Sequence, residues 1–295
     1  MARSIKGKLF LLSACVLIVA VSCQQNTTES VKQTFVSQTN DDEIPAQYIE
    51  ISNKCRYTGE KITEDIFTLD NLLPESTEYT LDKYDHGYFI IGYSTRHKQP
   101  GYSAWLLTRK MVQNRNVKRE NTFREDSSLR CCMAYNYDYN RSGYDRGHMC
   151  PNGDMTWSKQ ASKETFLLSN ICPQIKKLNQ GQWNDLEVLT RAWATKNDSL
   201  LVIAGPVFDC NKGHIGRSKV TVPCAFYKII IDISYPKCKA IAFIMDNAPV
   251  KQGLFSYATD INTVEKRTGL KFFPHHVNLP IVKQMKSSLD TLSWK

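Results

Sequence analysis

The chemistry-bearing residues of this 295-residue chain concentrate between Tyr144 and Glu187. The stretch opens with Asp145-Arg146-Gly147-His148 and runs through Phe166-Leu167-Leu168-Ser169-Asn170 and Pro173-Gln174. It closes with Leu178-Asn179-Gln180-Gly181-Gln182-Trp183-Asn184-Asp185-Leu186-Glu187. An imidazole near its ordinary pKa of about 6.5 can take a proton from water at neutral pH. The Arg146 cation beside His148 favours the neutral, basic form of the ring and suits a phosphate. Gly147 lets the backbone come close to a bulky ligand. Downstream, Asn179 and Glu187 stand eight residues apart. That is about 2.2 helical turns, so the two share a broad face of one predicted helix. Each offers oxygen, and sparse oxygen donors suit Mg²⁺, which keeps most of its waters and leans on substrate phosphate. A histidine base, an arginine and a loosely held hard cation together describe phosphodiester hydrolysis.

The elements that must position these residues follow from pattern. Short aromatic and β-branched runs predict strands over Tyr88–Tyr93 and Ser103–Thr108, with Pro100-Gly101 as the turn between them. Further strands are predicted over Leu200–Phe208, Phe226–Asp232 and Ala240–Met245, the last two joined by a turn at Tyr235-Pro236. Helical signals lie at Lys159–Leu168, Leu178–Thr195, Leu254–Thr268 and Pro280–Ser288, with Gly269 as a C-cap. Strands with interspersed helices over one continuous core predict an α+β domain, a mixed or antiparallel sheet flanked by helices.

Composition agrees with a globular body. Hydrophobic residues are 42% and charged residues 23%, which excludes a disordered, collagenous or polytopic membrane chain. The net charge of +9 is uneven. Residues 26–82 carry 12 acids and 4 bases, and residues 83–295 carry 31 bases and 17 acids. A basic body suits a polyanionic partner. Residues 96–124 hold eight Lys/Arg against one acid, Glu120.

The N-terminus reads as a processing signal. Arg3, Lys6 and Lys8 precede an apolar run, Leu9–Val21, whose 13 residues are short for a membrane span. Ala20-Val21-Ser22-Cys23 resembles a bacterial lipobox, which implies a signal peptide over residues 1–22 and lipidation of Cys23. Residues 23–47 are then a lipidated cysteine and flexible tether, 48–85 an acidic extension, and 86–295 the catalytic domain. The expected location is exported, on a bacterial outer membrane or periplasmic face, with ordinary cleavage and free secretion as the alternative. Eight cysteines remain after Cys15 and Cys23, an even count that suggests disulfides in an oxidising compartment. Cys210 with Cys224 and Cys150 with Cys172 are two candidate pairs.

Taken with its surroundings, the Asp-Arg-Gly-His segment resembles the DNA/RNA non-specific endonuclease family. The resemblance runs from Tyr88 to about Pro274 and includes Gly92-Tyr93, Trp105, Arg119, Phe123-Arg124-Glu125-Asp126, Gly205-Pro206-Val207-Phe208, Phe226-Tyr227-Lys228 and Phe272-Phe273-Pro274. It implies a ββα-metal nuclease motif within a larger sheet, and residue roles. His148 would be the general base, Asn179 the only direct protein ligand of Mg²⁺ (or Mn²⁺), and Glu187 the holder of water around the ion. Arg146 would bind the phosphate near the scissile bond, Asn170 would support the geometry, and Arg119 would stabilise the phosphorane, with Lys118 and Arg115 close by. DNA and RNA are the implied substrates, because phosphate and sugar contacts carry no sequence information. A homodimer is compatible with the sequence.

Other readings compete. A non-catalytic nucleic-acid-binding lipoprotein on the same fold would have no need to keep His148, Asn179 and Glu187 together. A phosphodiesterase of small substrates would lack salt-sensitive polymer binding. His148, Cys150 and Cys172 could form a structural zinc site. Asn179 could be a helix N-cap, Trp183 is expected in the core, and His275-His276 at the surface or in packing contacts.

Overall fold

The computed structural model describes residues 69–232, 238–249 and 252–295. The signal segment, Cys23, the tether, the extension up to residue 68 and the Tyr235-Pro236 turn lie outside the described residues.

In chain order the strands are β1 Glu75–Ser76, β2 Asp82–Asp85, β3 Ile90–Ser94, β4 Gln99–Thr108, β5 Asp145–His148, β6 Ile171–Gln174, β7 Ser199–Val207, β8 His214–Ile215, β9 Val220–Thr221, β10 Ala225–Asp232, β11 Lys239–Asp246, β12 Ala258–Thr259 and β13 Leu270–Lys271. The helices are α1 Leu69–Leu72, α2 Arg109–Gln113, α3 Asn136–Tyr139, α4 Asn152–Met155, α5 Lys159–Glu164, α6 Lys176–Asn179, α7 Gln182–Asn197, α8 Ile261–Thr268 and α9 Pro280–Ser287.

The frame is a seven-stranded sheet in the order β12-β11-β10-β7-β4-β3-β2, with every neighbouring pair antiparallel. This is the expected α+β architecture. The central strands β4, β7 and β10 are buried along their whole length, so β7 reads as an unbroken apolar run, not an alternating one. Leu200, Val202 and Ala204 join one core cluster with Trp183, Leu186 and Trp193 of α7. The alternate residues Leu201 and Ile203 point to the other face, as the pleat requires, and α8 packs against β7 and β11. Residues 82–85, late in the acidic segment, pair with β3 at the sheet edge.

Four sequence expectations change. Pro100 and Gly101 are not a turn but part of β4. The register shifts there, with Gly92 opposite Tyr102 and Tyr93 opposite Pro100, leaving Gly101 as the extra residue of a bulge, where proline and glycine are tolerated. The true turn is residues 95–98, where Lys98 takes a positive φ of 57°. The helix expected over Lys159–Leu168 stops at Glu164, because the backbone of Phe166–Leu168 bonds instead to Arg124, through Arg124 N to Phe166 O and Leu168 N to Arg124 O. The helix expected over Leu254–Thr268 begins only at Ile261, where the Asp260 carboxylate accepts from Thr263 N at 2.7 Å. Finally, Leu178–Thr195 is two helices. Gly181 stands between them with a non-helical ψ of −120°, and a Cβ there would meet the Lys177 carbonyl at 2.4 Å.

Candidate active site

The hairpin of β5 and β6 carries the first half of the site. Its register places Asp145 opposite Gln174, Arg146 opposite Pro173, Gly147 opposite Cys172 and His148 opposite Ile171. Gly147 is required by protein packing and not by a ligand, since a Cβ would lie 2.3 Å from the Gln174 side-chain oxygen. The chain then turns through α6 and α7, completing a strand–strand–helix unit.

A cleft of about 370 Å³ opens at the end of this unit, lined by Arg119, Arg146, His148, Asn152, Asn179 and Glu187 among others. The structure therefore brings together every catalytic and metal-binding candidate from the sequence except Asn170, which stands behind the cleft. Asn179 and Glu187 meet there from two helices, not from one shared face, because of the break at Gly181. Asn179 ends α6 and caps no helix N-terminus.

His148 is 8% exposed, and its Nε2 has no hydrogen-bond partner among the described residues. Phe123 and Phe166 flank the ring at 5.4 and 5.0 Å between centroids. Burial, and then the Arg119 cation, hold its pKa down at about 3, so the ring is neutral at physiological pH with a lone pair to offer. Arg119 lies 5.5 Å over Phe166, whereas neighbouring Arg115 turns away to Thr156. Arg146 sits over the rings of Phe123 and Tyr139 at 5.4 and 5.3 Å. Its Nη2 donates to Asn136 O at 2.8 Å and Asn140 Oδ1 at 3.1 Å.

On the other wall, Asn179 Nδ2 donates to Asp145 Oδ2 at 3.0 Å, and Gln180 Nε2 joins it at 3.1 Å. That contact fixes the carboxamide so that its oxygen is the atom left for a ligand. Burial pushes the Glu187 carboxyl up to about 7, against the pull of Lys228. Lys228 is fully buried, 4.6 Å over the Trp183 ring and 5.9 Å over Trp105. Burial lowers its pKa, and Glu187 and then Asp154 oppose that fall. Trp183 is thus core, as expected.

Two buried carboxamides fasten the site. Asn170 Oδ1 accepts from Ser103 Oγ and Cys150 N, both at 2.9 Å, and its Nδ2 donates to Cys150 O at 2.9 Å and Thr165 O at 3.0 Å. Asn247 Oδ1 accepts from Ile175 N at 2.8 Å, and its Nδ2 donates to Pro173 O and Pro223 O at 3.0 Å. Sequence reading missed Asn247, which stands far from the motif, and gave no role to Asp145, although it belongs to the Asp-Arg-Gly-His run.

The cysteines divide. Cys210 and Cys224 are bonded to each other. Cys150 and Cys172 are not: both are buried free thiols, their pKa values driven well up by burial. Asn170 fixes the backbone of Cys150 beyond the end of β5, while Cys172 faces Gly147 across the hairpin. Nor do they form a zinc site with His148. Among the described residues, the only convergence of three such ligand atoms is Asp209, Cys210 and Cys224, where the cysteines form a disulfide and Asp209 pairs with Arg267 at 2.6 Å. The oxygen-rich cleft instead fits a hard divalent cation, with Asn179 oriented by Asp145 and no thiol among the residues that line it. His275 is surface, 3.9 Å from Glu75. Among the described residues, no helix is long and apolar enough to cross a membrane.

Comparison with known proteins gives a consistent result. Residues 70–278 match the family described as DNA/RNA non-specific endonuclease. The chain is 34% identical over 236 residues to the mitochondrial nuclease EXOG of Danio rerio, covering 75% of this chain and 66% of that protein. It is 31% identical over 201 residues to the mitochondrial endonuclease G of Homo sapiens, covering 63% of this chain and 68% of that protein. Among solved structures, a crystal structure of an EndoG/EndoGI complex superposes with a TM-score of 0.64 at 28% identity, covering 70% of this chain and 89% of the matched one.

Proposed function

Because the chain belongs to the DNA/RNA non-specific endonuclease family, we propose that it is a divalent-cation-dependent endonuclease that hydrolyses internal phosphodiester bonds of DNA and RNA without strong sequence preference. The observation that carries this reading is the unpartnered His148 Nε2 in the same cleft as Arg119, Arg146, Asn179 and Glu187. A protein that only binds nucleic acid has no use for such a lone pair.

The residues divide the work. Arg146 and Arg119 draw the phosphodiester into the cleft, and the bound negative charge opposes the burial and, after it, the Arg119 field that keep His148 weakly basic. His148 Nε2 takes a proton from water, whose oxygen attacks phosphorus in line with the 3′ oxygen. The phosphorus–O3′ bond breaks, leaving a 5′-phosphate and a 3′-hydroxyl that collects a solvent proton. Arg119 stabilises the charge of the phosphorane. Asn179 would hold Mg²⁺ or Mn²⁺ directly, with Glu187 at one remove. When bound, such an ion supplies charge stabilisation for the phosphorane and the departing oxygen. Asn170 ties the backbone just beyond the strand end that bears His148 to Ser103 of β4.

The same reading places the enzyme outside the bacterial cytoplasm, tethered through lipid on Cys23. Support comes from the basic and apolar start of the chain and from the Cys210–Cys224 disulfide, a bond of oxidising compartments. Digestion of plasmid and of RNA, with and without EDTA, tests the activity. Cleavage of both that EDTA abolishes is expected; no cleavage with either Mg²⁺ or Mn²⁺ overturns the reading.

A further inference from the structure

A second groove, of about 1090 Å³, lies between α3 and the β8–β9 hairpin, with Tyr137, Asn140, Arg141, His214 and Arg217 in its walls. Its walls are fixed to each other. Asp138, 1% exposed, accepts from Tyr135 N at 2.9 Å with one carboxylate oxygen and from Ser218 N at 3.0 Å with the other. Gly216 has a φ of +65°, and a Cβ there would lie 2.2 Å from Asp138 Oδ1.

Three features of this groove are unused by the cleft chemistry. Tyr135 and Tyr137 stack in parallel, 5.1 Å between centroids and 6° between planes. Yet they are 36% and 50% exposed, so Tyr137 presents a ring already held in place from behind. Arg141 and Arg217 are exposed, and no ion pair is found for either among the described residues. Arg141 takes a φ of 56° in the turn that follows α3. Asn140 of the groove touches Arg146 of the cleft, its Oδ1 accepting from Arg146 Nη2 at 3.1 Å.

We propose that this groove is a track for unpaired nucleotides of the strand being cut, a base stacking on Tyr137 and phosphates meeting Arg141 and Arg217; the inference rests on the nuclease reading above. The occupant follows from the chemistry. Cations and one open aromatic face suit a phosphate backbone with a base turned outward. A base within a duplex has both faces covered and cannot use that ring.

Fluorescence anisotropy tests it, with the full chain carrying His148→Ala in EDTA and labelled single-stranded and hairpin-duplex DNA of equal length. Adding Tyr137→Ala or Arg217→Ala should weaken single-strand binding about tenfold, the scale of one lost stacking or phosphate contact. Duplex binding should move by less than about twofold, and Tyr137→Phe should bind single strands like the parent. Unchanged single-strand binding in both variants, or equal losses on single strand and duplex, would overturn the inference. Cutting by the unmutated protein is scored separately. A protein that cuts but shows neither selective loss sinks the groove alone; one that shows the losses but cuts nothing sinks the nuclease reading alone.

Discussion

Asn179 reaches across from the end of α6 to give its amide hydrogen to Asp145, the first residue of β5, at 3.0 Å. One carboxylate thereby decides which atom of the carboxamide faces the cleft.

Asp145→Ala should therefore impair cation use while leaving His148 untouched. Groups that orient a metal ligand commonly contribute 10- to 100-fold in metal affinity (about that range is expected here). The check is a Mg²⁺ titration of plasmid nicking. An unshifted midpoint would mean that Asn179 is held by something other than Asp145.

His148→Ala should reduce cleavage by roughly 10² to 10⁴, the usual contribution of a positioned base. Binding of uncut DNA in EDTA should persist, since Arg119 and Arg146 remain. Full cutting by this variant would refute the base assignment.

The burial of a neutral His148 also has a cost in acid. In the folded chain it takes up a proton only near pH 3, whereas the unfolded chain does so near 6.5. Between those values the unfolded state binds more protons, so stability rises with pH and is lost as pH falls below about 6.5. The contribution is on the order of a few kcal/mol over the whole window. His148→Gln should flatten the dependence of urea midpoint on pH between about 4 and 6. An unchanged slope would show that the ring is not buried neutral.

Replacing both Cys210 and Cys224 by serine should lower stability by about 3 kcal/mol, the loop-closure value for a separation of this length, here 14 residues. The loss is read as a lower denaturant midpoint. Plasmid cleavage at moderate temperature should survive, because the bridge lies outside the cleft. A midpoint unaltered by the double substitution would place the bridge outside the stabilising framework.

Much of the site was legible in the sequence because its residues are few, polar and ordered along the chain. Arg146, His148, Asn179 and Glu187, singled out by chemistry and spacing, line one cleft, and the central strands follow from their apolar runs. What escaped depends on contacts no local pattern encodes. Gly181 looked tolerable inside a helical period, yet the Lys177 carbonyl leaves no room there for a side chain. Pro100-Gly101 carries a strong turn signal, but the bulge opposite Gly92 and Tyr93 absorbs both residues. Phe166–Leu168 had helical character, and a backbone exchange with Arg124, distant in sequence, overruled it. Cys150 and Cys172 lie within the motif and are not bonded to each other; both are buried free thiols, and Asn170 holds the Cys150 backbone.

Asn247 carries a consequence for how the molecule comes into being. Every side chain of the cleft has been synthesised by Glu187, yet the turn leading to Asn179 is fastened by a carboxamide 72 residues beyond Ile175. A nascent or truncated chain that stops short of it possesses all the cutting groups without the bolt that aligns them. This wall of the cleft is therefore tied to the residue that follows β11, and not to the motif alone.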